Sequence, residues 1–449
     1  MTENELLTKI DSESGTEIFS ELYGKKEAAA ARLRYRALVT EMLKSGTDGF
    51  PETELCDGNL RVFSAPGRTE LGGNHTDHNR GKILAASIQL DNVAIVRKRK
   101  DNTVFFRSAG YPDVKVKLTN SSGAPDLQPK PEEEGMTEAL VRGIAAELNR
   151  ITGGFSANAI STVHPGSGLS SSAAVEVLFG RIFDSLYGEG QLCPLEIAQI
   201  GQIAENTYFG KPCGLMDQIA CATGGAVAVD FADAARPSVK QINFDLAAAG
   251  FALCVVNTGG SHADLTADYA SIPAEMKGVA AFLGKSVLGE LEKENVLSRA
   301  REIRKKLGDR ALLRSLHFFE ENARVDAMSA ALSEMDGAVT IAAKQQALYR
   351  YLELVNESGD SSWELLQNVY SRPEEQGISI ALALSKGFFK KQKIHGACRV
   401  HGGGFAGTIQ VYIPLDAMDA YRTHIEAVFG PGSVTLLQIR SRGAVELFF

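Results

Sequence analysis

The chain has 449 residues, of which 44% are hydrophobic and 23% are charged, a balance typical of a soluble globular protein with two or three domains. The formal net charge of −8 argues against nucleic acid or an anionic membrane surface as the main partner. There is no apolar run of the roughly 20 residues that a membrane span needs, and the acidic N-terminus does not resemble a secretory signal. Six cysteines without a CxxC pair argue against a zinc cluster or a disulfide framework, so we expect a cytoplasmic protein.

The N-terminal half is predicted to begin with a helix and to continue in strands. Residues 24–45 are rich in Ala, Leu, Arg and Lys and are followed by Gly46, which is typical of a helix with a glycine C-cap. Short β-branched runs between 60 and 118 predict a series of strands. A helix over 137–154 and a strand over 155–163 are expected to follow.

The C-terminal half is predicted to mix helices and strands in a second domain. A boundary is expected near 231–238, where the sequence is FADAARPS. A long helical tract is predicted to end at about 356, and strands separated by loops are expected from there to the C-terminus. The class is α+β, because strands and helices are segregated rather than strictly alternating. The expected organisation is a helical extension at 1–59 and two domains at 60–232 and 233–449.

The most informative motif is the Gly/Ser-rich run HPGSGLSSSAAVEVLFG at 164–180, which leads directly into a predicted helix. Gly166 and Gly168 allow the backbone to approach a ligand closely. Several serine hydroxyls crowd the same turn, and the start of the helix offers unpaired N–H groups to an anion. These features are typical of a phosphate-binding loop, although a simple serine N-cap would also explain the run.

A second cluster, APGRTELGGNHTDHNRGKILAASI at 65–88, gathers many polar side chains around glycines between two strand-like runs. A solvated loop is the usual outcome for such a composition. Converging donors and acceptors are, however, what a sugar-binding site requires. The two histidines of HTDH are only weak evidence for a metal site.

Two further motifs contain candidate functional residues. The segment ENTYFGKPCGLMDQIACATGG at 205–225 places Asp217 after apolar residues, as a candidate base or as a helix cap. The segment GACRVHGGGFAGTIQVYIP at 396–414 has three consecutive glycines between two strand-like runs. It predicts either a tight hairpin or a close approach of the backbone to a ligand or to the phosphate-binding loop.

With these four motifs in this order, the chain resembles the galactokinase family of the GHMP superfamily of small-molecule kinases. The family signature is approximately GRxNLIGEHTDYNxGxVLPxAI, and the corresponding segment here is GRTELGGNHTDHNRGKILAASI. GLSSSAA is intact, PCGLMDQ matches the catalytic segment, and GGGFAG has Ala406 in place of a glycine. The resemblance implies a two-domain α+β fold, with an N-terminal ribosomal-S5-like domain, a C-terminal α+β domain and an active site in the cleft between them.

The resemblance also implies a kinase that uses ATP and Mg²⁺ to phosphorylate the anomeric hydroxyl of galactose or a closely related hexose, as a monomer or weak homo-oligomer. Asp217 would be the base, and Arg68 would hold it ionised and steady the transferring phosphoryl group. Ser172 and Glu205 would ligate Mg²⁺. The residues at positions that hold the ATP phosphates are Gly166, Ser167, Gly168, Leu169, Ser170, Ser171 and Ser172. The residues at sugar-contacting positions are Arg68, Asn74, His75, Asp77, Gly214, Asp217 and Tyr269.

Three of the departures from the family signature disturb the match. Asn74 replaces a Glu, Glu70 replaces an Asn, and His78 replaces a Tyr. In the family that Glu is expected to accept a hydrogen bond from the hydroxyl at sugar C6, so the amide of Asn74 removes a negative charge there. We therefore predict that the C6 end of the substrate differs or is tolerated more broadly, with galacturonate as an alternative substrate.

Two other functions are weighed against a sugar kinase. A non-catalytic, galactokinase-like sugar sensor would be expected to carry a lesion in the phosphate-binding loop, whereas Ser172 and Ala173 are both in place. A homoserine or mevalonate kinase would lack the HTDH segment that follows Arg68.

Overall fold

The computed structural model describes residues 1–44, 55–148, 153–164, 166–260 and 265–449. Its strands are β1 (Leu55–Gly72), β2 (Lys82–Arg99), β3 (Thr103–Ser108), β4 (Val114–Lys117), β5 (Phe155–Ser161), β6 (Ala226–Asp230), β7 (Ser238–Ile242), β8 (Phe251–Asn257), β9 (Ala397–Val400), β10 (Thr408–Pro414), β11 (Val434–Leu437) and β12 (Val445–Leu447). Its helices are α1 (Glu3–Ile10), α2 (Glu13–Tyr23), α3 (Ala28–Lys44), α4 (Thr137–Glu147), α5 (Ser171–Tyr187), α6 (Pro194–Ile203), α7 (Met216–Thr223), α8 (Thr266–Phe282), α9 (Lys293–Ser298), α10 (Ala300–Leu307), α11 (Asp309–Gly337), α12 (Ile341–Ser361), α13 (Gly377–Gln392) and α14 (Met418–Phe429). Two π-helical turns, Ala204–Phe209 and Ser362–Leu366, continue α6 and α12.

The first sheet has eight strands and is built around the long antiparallel pair of β1 and β2. Its order is β12-β1-β2-β5-β3-β4, and β6 joins β2 to β7. Strands β3 and β5 are parallel. Helices cover both faces of the sheet, since Val62 and Ile95 pack against α1–α3 and Phe63 and Val96 pack against α4–α7. Strand β2 is therefore buried along nearly its whole length instead of alternating between buried and exposed positions.

The N-terminal helices form one layer of this fold. The predicted helix over 24–45 corresponds to α3, while its predicted Gly46 cap lies outside the described residues. Helices α1 and α2 were not predicted, although their starts carry ordinary signals: Thr2 and Glu5 form a capping box, and the Ser12 hydroxyl accepts from Gly15 N–H. Together the three helices close one face of the first sheet.

The second sheet has the order β11-β8-β10-β9 and lies in the C-terminal half. Helices α13 and α14 pack on one face of it, while α11 and α12 pack on the other. The prediction of strands separated by loops up to the C-terminus was wrong at α13 and α14. The run ISIALAL at the start of α13 has a single polar residue, Ser379, between two isoleucines, so it shows strand-like alternation and is easily mistaken for a buried strand.

The connection between the two sheets lies after β7. The segment 231–238, where we predicted a domain boundary, links β6 to β7, and these strands pair antiparallel within the first sheet. Near the C-terminus β12 returns to pair with β1. The boundaries at 59/60 and 232/233 remain predictions, whereas the α+β class is confirmed by the two sheets and their helical layers.

In the part of the chain that the structure describes, no helix combines the length and the apolar character that crossing a bilayer requires.

Candidate active site

An ion pair between Arg68 and Asp217 joins β1 to the first turn of α7. The Nε and Nη2 atoms of Arg68 donate to the two carboxylate oxygens of Asp217 at 2.7 and 2.8 Å. The side chain of Arg68 is 7% exposed and that of Asp217 is 32% exposed. The guanidinium is thus buried behind a carboxylate that solvent or a substrate can reach, and the two parallel hydrogen bonds fix the plane of that carboxylate.

The environment of Asp217 keeps this carboxylate ionised. Burial alone would raise its pKa, but the charge of Arg68 and hydrogen bonds from Arg68 and Ser170 lower the pKa below its ordinary value. Asp217 does not act as a helix cap, since its oxygens are bonded to these two side chains. A carboxylate held in this way contributes orientation and charge at least as much as basicity.

The Gly/Ser-rich run forms a loop that is tied to β1. Arg68 donates through Nη1 to the carbonyl of Gly168 at 2.5 Å and through its backbone N–H to the carbonyl of Leu169 at 3.1 Å. Ser170 has a left-handed backbone (φ 60°), and its hydroxyl donates to Asp217 instead of capping α5. The first N–H groups of α5 therefore remain available to an anion, as a phosphate-binding loop requires.

Gly168 has to be a glycine at its position in this loop. Its φ is +71°, and a Cβ atom on it would lie 2.7 Å from Oγ1 of Thr408 and 3.1 Å from Nδ1 of His401. The loop is thereby packed against the β9–β10 hairpin, whose glycine-rich turn was predicted to approach it.

Of the two predicted magnesium ligands, Glu205 is hydrogen-bonded to side chains that were not predicted, and Ser172 lies one helical turn from one of them, Glu176. Glu205 lies on the π-helical turn after α6, where it accepts from Lys211 Nζ at 2.9 Å and from Gln218 Nε2 at 3.0 Å. Gln218 Nε2 also donates to Glu176 at 2.9 Å. Glu176 lies four residues after Ser172 on α5, so the two share a helix face.

The electrostatics of this acidic cluster follow from its burial. Glu176 is fully buried, and burial together with the neighbouring Glu205 raises its pKa well above the ordinary value. No group of three or more His, Cys, Asp and Glu side chains in the described part of the chain could hold a metal ion by itself. A magnesium ion bound by Ser172 and Glu205 would therefore need oxygen ligands from another source, such as nucleotide phosphates.

The sugar motif and the Asp217 segment meet at Asp77 and Gly214. A Cβ atom on Gly214 would lie 1.8 Å from Oδ2 of Asp77, so only glycine fits there. Burial and the nearby His78 lower the pKa of His75 to about 3, which makes its imidazole neutral. Because the carbonyl of Gly403 only accepts, His75 Nε2 donates to it at 3.0 Å, and Nδ1 is left as a hydrogen-bond acceptor.

The glycine-rich turn at 402–404 packs against the sugar motif and Tyr269. Tyr269 Oη donates to the carbonyl of Gly404 at 3.1 Å, and a Cβ atom on Gly403 would lie 2.4 Å from the Tyr269 ring. Strands β9 and β10 also pair antiparallel on either side of this turn. Both the predicted hairpin and the predicted close approach are therefore present.

Asn74 contacts protein groups on every side. Its side chain donates to Glu70 and to the carbonyl of Gly402, and it accepts from Asn368. Arg399, on β9, in turn pairs with Glu70. Asn368 and Arg399 were not predicted, because neither stands out from its local sequence.

Comparison with known families assigns two segments of the chain. Residues 53–98 match the galactokinase galactose-binding signature, and residues 138–225 match the GHMP kinases N terminal domain. These segments contain the sugar motif and the phosphate-binding loop, respectively.

Whole-chain comparisons agree with these matches. The galactokinase of Streptomyces coelicolor is 32% identical over 372 residues, which cover 82% of this chain and 88% of that protein. Human galactokinase is 29% identical over 430 residues, covering 90% and 97%.

Solved structures share the fold. Lactococcus lactis galactokinase complexed with galactose superposes with a TM-score of 0.73 at 24% identity, covering 92% of this chain and 100% of that one. Methanococcus jannaschii mevalonate kinase gives a TM-score of 0.57 at 12% identity, covering 86% and 99%. The two-domain GHMP kinase architecture is thus confirmed. On the sequence matches, the chain belongs to the galactokinase family and is a sugar kinase.

Proposed function

We propose that this kinase transfers the γ-phosphoryl group of ATP to the anomeric hydroxyl of galactose or a closely related hexose. The observation that carries this proposal is the position of Asp217. Its carboxylate is bonded to Arg68 and Ser170 and so lies between the phosphate-binding loop and the sugar motif. A proton acceptor and a phosphate cradle are thereby adjacent, which is the main requirement of phosphoryl transfer.

In this mechanism Asp217 accepts the proton of the sugar hydroxyl. Because its pKa is low, the proton moves late, as the new bond between oxygen and phosphorus forms and the hydroxyl becomes acidic. Arg68 keeps the carboxylate ionised and aimed during this step. Its buried charge also stabilises negative charge that develops on the transferring group.

The phosphates of ATP would be held by residues 166–172 and by the N–H groups at the start of α5. Ser172 and Glu205 would hold Mg²⁺, which when bound neutralises phosphate charge. The donors suit this hard cation because both are oxygens. Two buried oxygens of this cluster, Glu176 Oε1 and Gln218 Oε1, have no hydrogen-bond partner and can therefore accept further hydrogen bonds.

Sugar recognition in this proposal falls mainly on His75 and Asp77. The neutral His75 ring offers an acceptor, and the Asp77 carboxylate, whose side chain is 10% exposed, offers two more. Gly214 makes room for Asp77, and Tyr269 supports the glycine-rich turn beside them.

Nothing in the geometry favours galacturonate as an alternative substrate. That idea rests on the loss of a negative charge at residue 74, but the carboxylate of Glu70 lies 3.0 to 3.2 Å from the amide nitrogen of Asn74. Above the raised Glu70 pKa of about 7, a negative group therefore still lies beside residue 74. The intact contacts among Arg68, Ser170 and Asp217 likewise support turnover rather than a sensor role.

An ADP-release assay over a panel of sugars tests the proposal. Galactose, glucose, mannose and galacturonate are compared for wild type and for Asp217→Asn, with sugar binding measured by calorimetry. We expect turnover with a galacto-configured sugar, and loss of turnover with retained binding in the variant. Equal turnover in both proteins would remove Asp217 as the base, and tight binding without turnover of any sugar would favour a sensor.

We also infer a cytoplasmic location for this reaction. ATP is abundant there, and the cysteines at 193, 213, 221, 254 and 398 are free thiols, as expected in a reducing compartment.

A further inference from the structure

Two of the departures from the galactokinase signature, Glu70 and Asn74, contact each other. The signature has Asn and then Glu at these positions, whereas this chain has Glu and then Asn. The amide nitrogen of Asn74 lies 3.0 and 3.2 Å from the two carboxylate oxygens of Glu70. The two departing positions therefore form a single contact in this chain, and its carboxylate lies on β1.

The amide of Asn74 has no hydrogen left for a ligand. The carboxylate of Glu70 and the carbonyl of Gly402, at 2.7 Å, can only accept, so they take both hydrogens of Nδ2. The amide oxygen accepts from Nδ2 of Asn368 at 2.8 Å. The residue is 1% exposed. Asn74 thus joins the sugar motif to the glycine-rich turn and to Asn368.

The carboxylate of Glu70 is equally occupied. Nη2 of Arg399 donates to it, and both residues are buried, at 2% and 0% exposure. Since Arg399 lies on β9 and Glu70 on β1, this pair connects the two sheets. A carboxylate fixed from both sides in this way cannot turn toward a sugar without leaving a buried arginine unpaired.

We propose that the exchange of Glu70 and Asn74 removes hydrogen-bond recognition of the sugar C6 position, so that the kinase accepts galacto-configured sugars whether or not C6 carries a hydroxyl. The inference rests on the proposed function and on the family resemblance, which implies that residue 74 lies opposite C6. Glu70 and Asn74 are positioning residues: they hold the turn at 402–404 against the sugar motif. Selection among sugars is left to His75 and Asp77.

The first test compares galactose with 6-deoxygalactose in the wild-type protein. A buried group that hydrogen-bonds a substrate hydroxyl rejects the analogue lacking it by about 10⁴-fold. We expect the kcat/KM values of the two sugars to agree within roughly tenfold, the range of simple apolar contacts. A preference for galactose above roughly 100-fold would overturn the inference, as would a preference for galacturonate over both sugars.

The second test restores the family arrangement with the double variant E70N/N74E, alongside E70N and N74E as single variants. E70N leaves Arg399 without its partner, and N74E places two carboxylates side by side, so each should lower the unfolding temperature. The double variant should recover much of that loss, as expected for coupled residues. It should also favour galactose over 6-deoxygalactose at least tenfold more than wild type does, in line with a restored hydroxyl contact.

The outcomes separate this inference from the proposed function. If no sugar is phosphorylated, the proposed function fails, and binding of galactose and 6-deoxygalactose by calorimetry still tests C6 recognition. If galactose is phosphorylated but its deoxy analogue is neither bound nor turned over, only the inference on C6 fails. Additive losses of stability in the two single variants, with no recovery in the double variant, would also contradict it.

Discussion

Arg68 and Asp217 lie 149 positions apart in the sequence and meet through two nearly parallel hydrogen bonds of 2.7 and 2.8 Å. The arginine comes from a strand whose neighbours bury it, and the aspartate comes from the first turn of a short helix. The same guanidinium also holds the carbonyl of Gly168. One side chain therefore sets the proposed base and the proposed phosphate-binding loop relative to each other.

Replacement of Arg68 by lysine should preserve charge but lose this geometry. An ammonium group cannot make two parallel bonds to a carboxylate and reach Gly168 as well. We expect kcat to fall by roughly 100-fold with a much smaller change in the KM for sugar, since the loss concerns the transition state. Steady-state kinetics measure this split. Ser170→Ala removes one hydrogen bond from Asp217, so its kcat should lie between those of wild type and Arg68→Lys. An unchanged kcat in Arg68→Lys would contradict the role assigned to the pair.

Lys211 should compete with the divalent cation for Glu205. Its Nζ lies 2.9 Å from the carboxylate, and its side chain is 59% exposed whereas that of Glu205 is 3% exposed. Lys211→Met removes the competing positive charge, so we expect activity to be half-saturated at a several-fold lower Mg²⁺ concentration. This is the order of effect expected when one unit charge at close range is removed. Titration of activity with Mg²⁺ at fixed ATP, together with Mn²⁺ binding in the presence of ADP, would measure it. Lys211→Arg is the matched control and should resemble wild type, while a higher Mg²⁺ requirement in Lys211→Met would show that Lys211 assists phosphate binding instead.

The contact between the sugar motif, the Gly/Ser-rich loop and the Asp217 segment is consistent with the sequence prediction, because the candidate residues occur in contiguous motifs. Arg68, Ser172 and Asp217 each stand in a short segment whose glycines or hydroxyls already suggest a backbone shape. Glu176 and Gln218 could not be predicted in the same way. The role of each depends on a partner from a different helix, since Gln218 on α7 donates to Glu176 on α5.

The limits on predicting the fold have a similar cause. Strands β1 to β5 were visible because β-branched runs alternate with turn residues. Helix α13 was missed because Ser379 between Ile378 and Ile380 gives its start a strand-like alternation. The return of β12 to β1, and the packing of the N-terminal helices on the first sheet, depend on contacts between distant segments that no local pattern records.

Glu70 should make stability depend on pH between about 4.5 and 7. Burial raises the pKa of its carboxyl to about 7 from 4.5, with Glu321 adding to the rise while Arg399 and Arg68 oppose it. The folded chain thus binds this proton more tightly than the unfolded chain, so the stabilisation is complete below about pH 4.5 and is lost as the pH rises through 7.

Glu70→Gln is the variant that isolates this effect, because its side chain stays neutral at every pH. We expect the drop in unfolding temperature between pH 4.5 and pH 7.5 to be larger in wild type than in the variant. All other titrating groups are common to both proteins, so they cancel in the comparison. Identical pH profiles would mean that Glu70 is ionised throughout, contrary to its burial.

Asp91, on β2, connects the N-terminal helices to the C-terminal segment. Its carboxylate accepts from Arg34 at 2.8 Å, from Arg440 at 2.9 Å and from the hydroxyl of Tyr23 at 2.6 Å. The side chain is 0% exposed. Burial alone would raise its pKa, but the charges of Arg34 and Arg440 outweigh this effect and lower the pKa. Three distant parts of the chain are therefore joined at one buried charge.

Asp91→Asn should consequently be among the most destabilising single substitutions far from the active site. It leaves Arg34 and Arg440 with uncompensated charge in the interior, which costs about 3–5 kcal/mol of unfolding free energy. The matched control is Asp360→Asn, which breaks the Lys386–Asp360 pair, whose side chains are 46% and 53% exposed. Such surface pairs contribute about 0–1 kcal/mol. Urea unfolding of both variants measures the difference in unfolding free energy. Equal losses of unfolding free energy would show that Asp91 does not hold the N-terminal helices in place. A selective loss in Asp91→Asn would show that the helical extension is part of the folded core of the kinase.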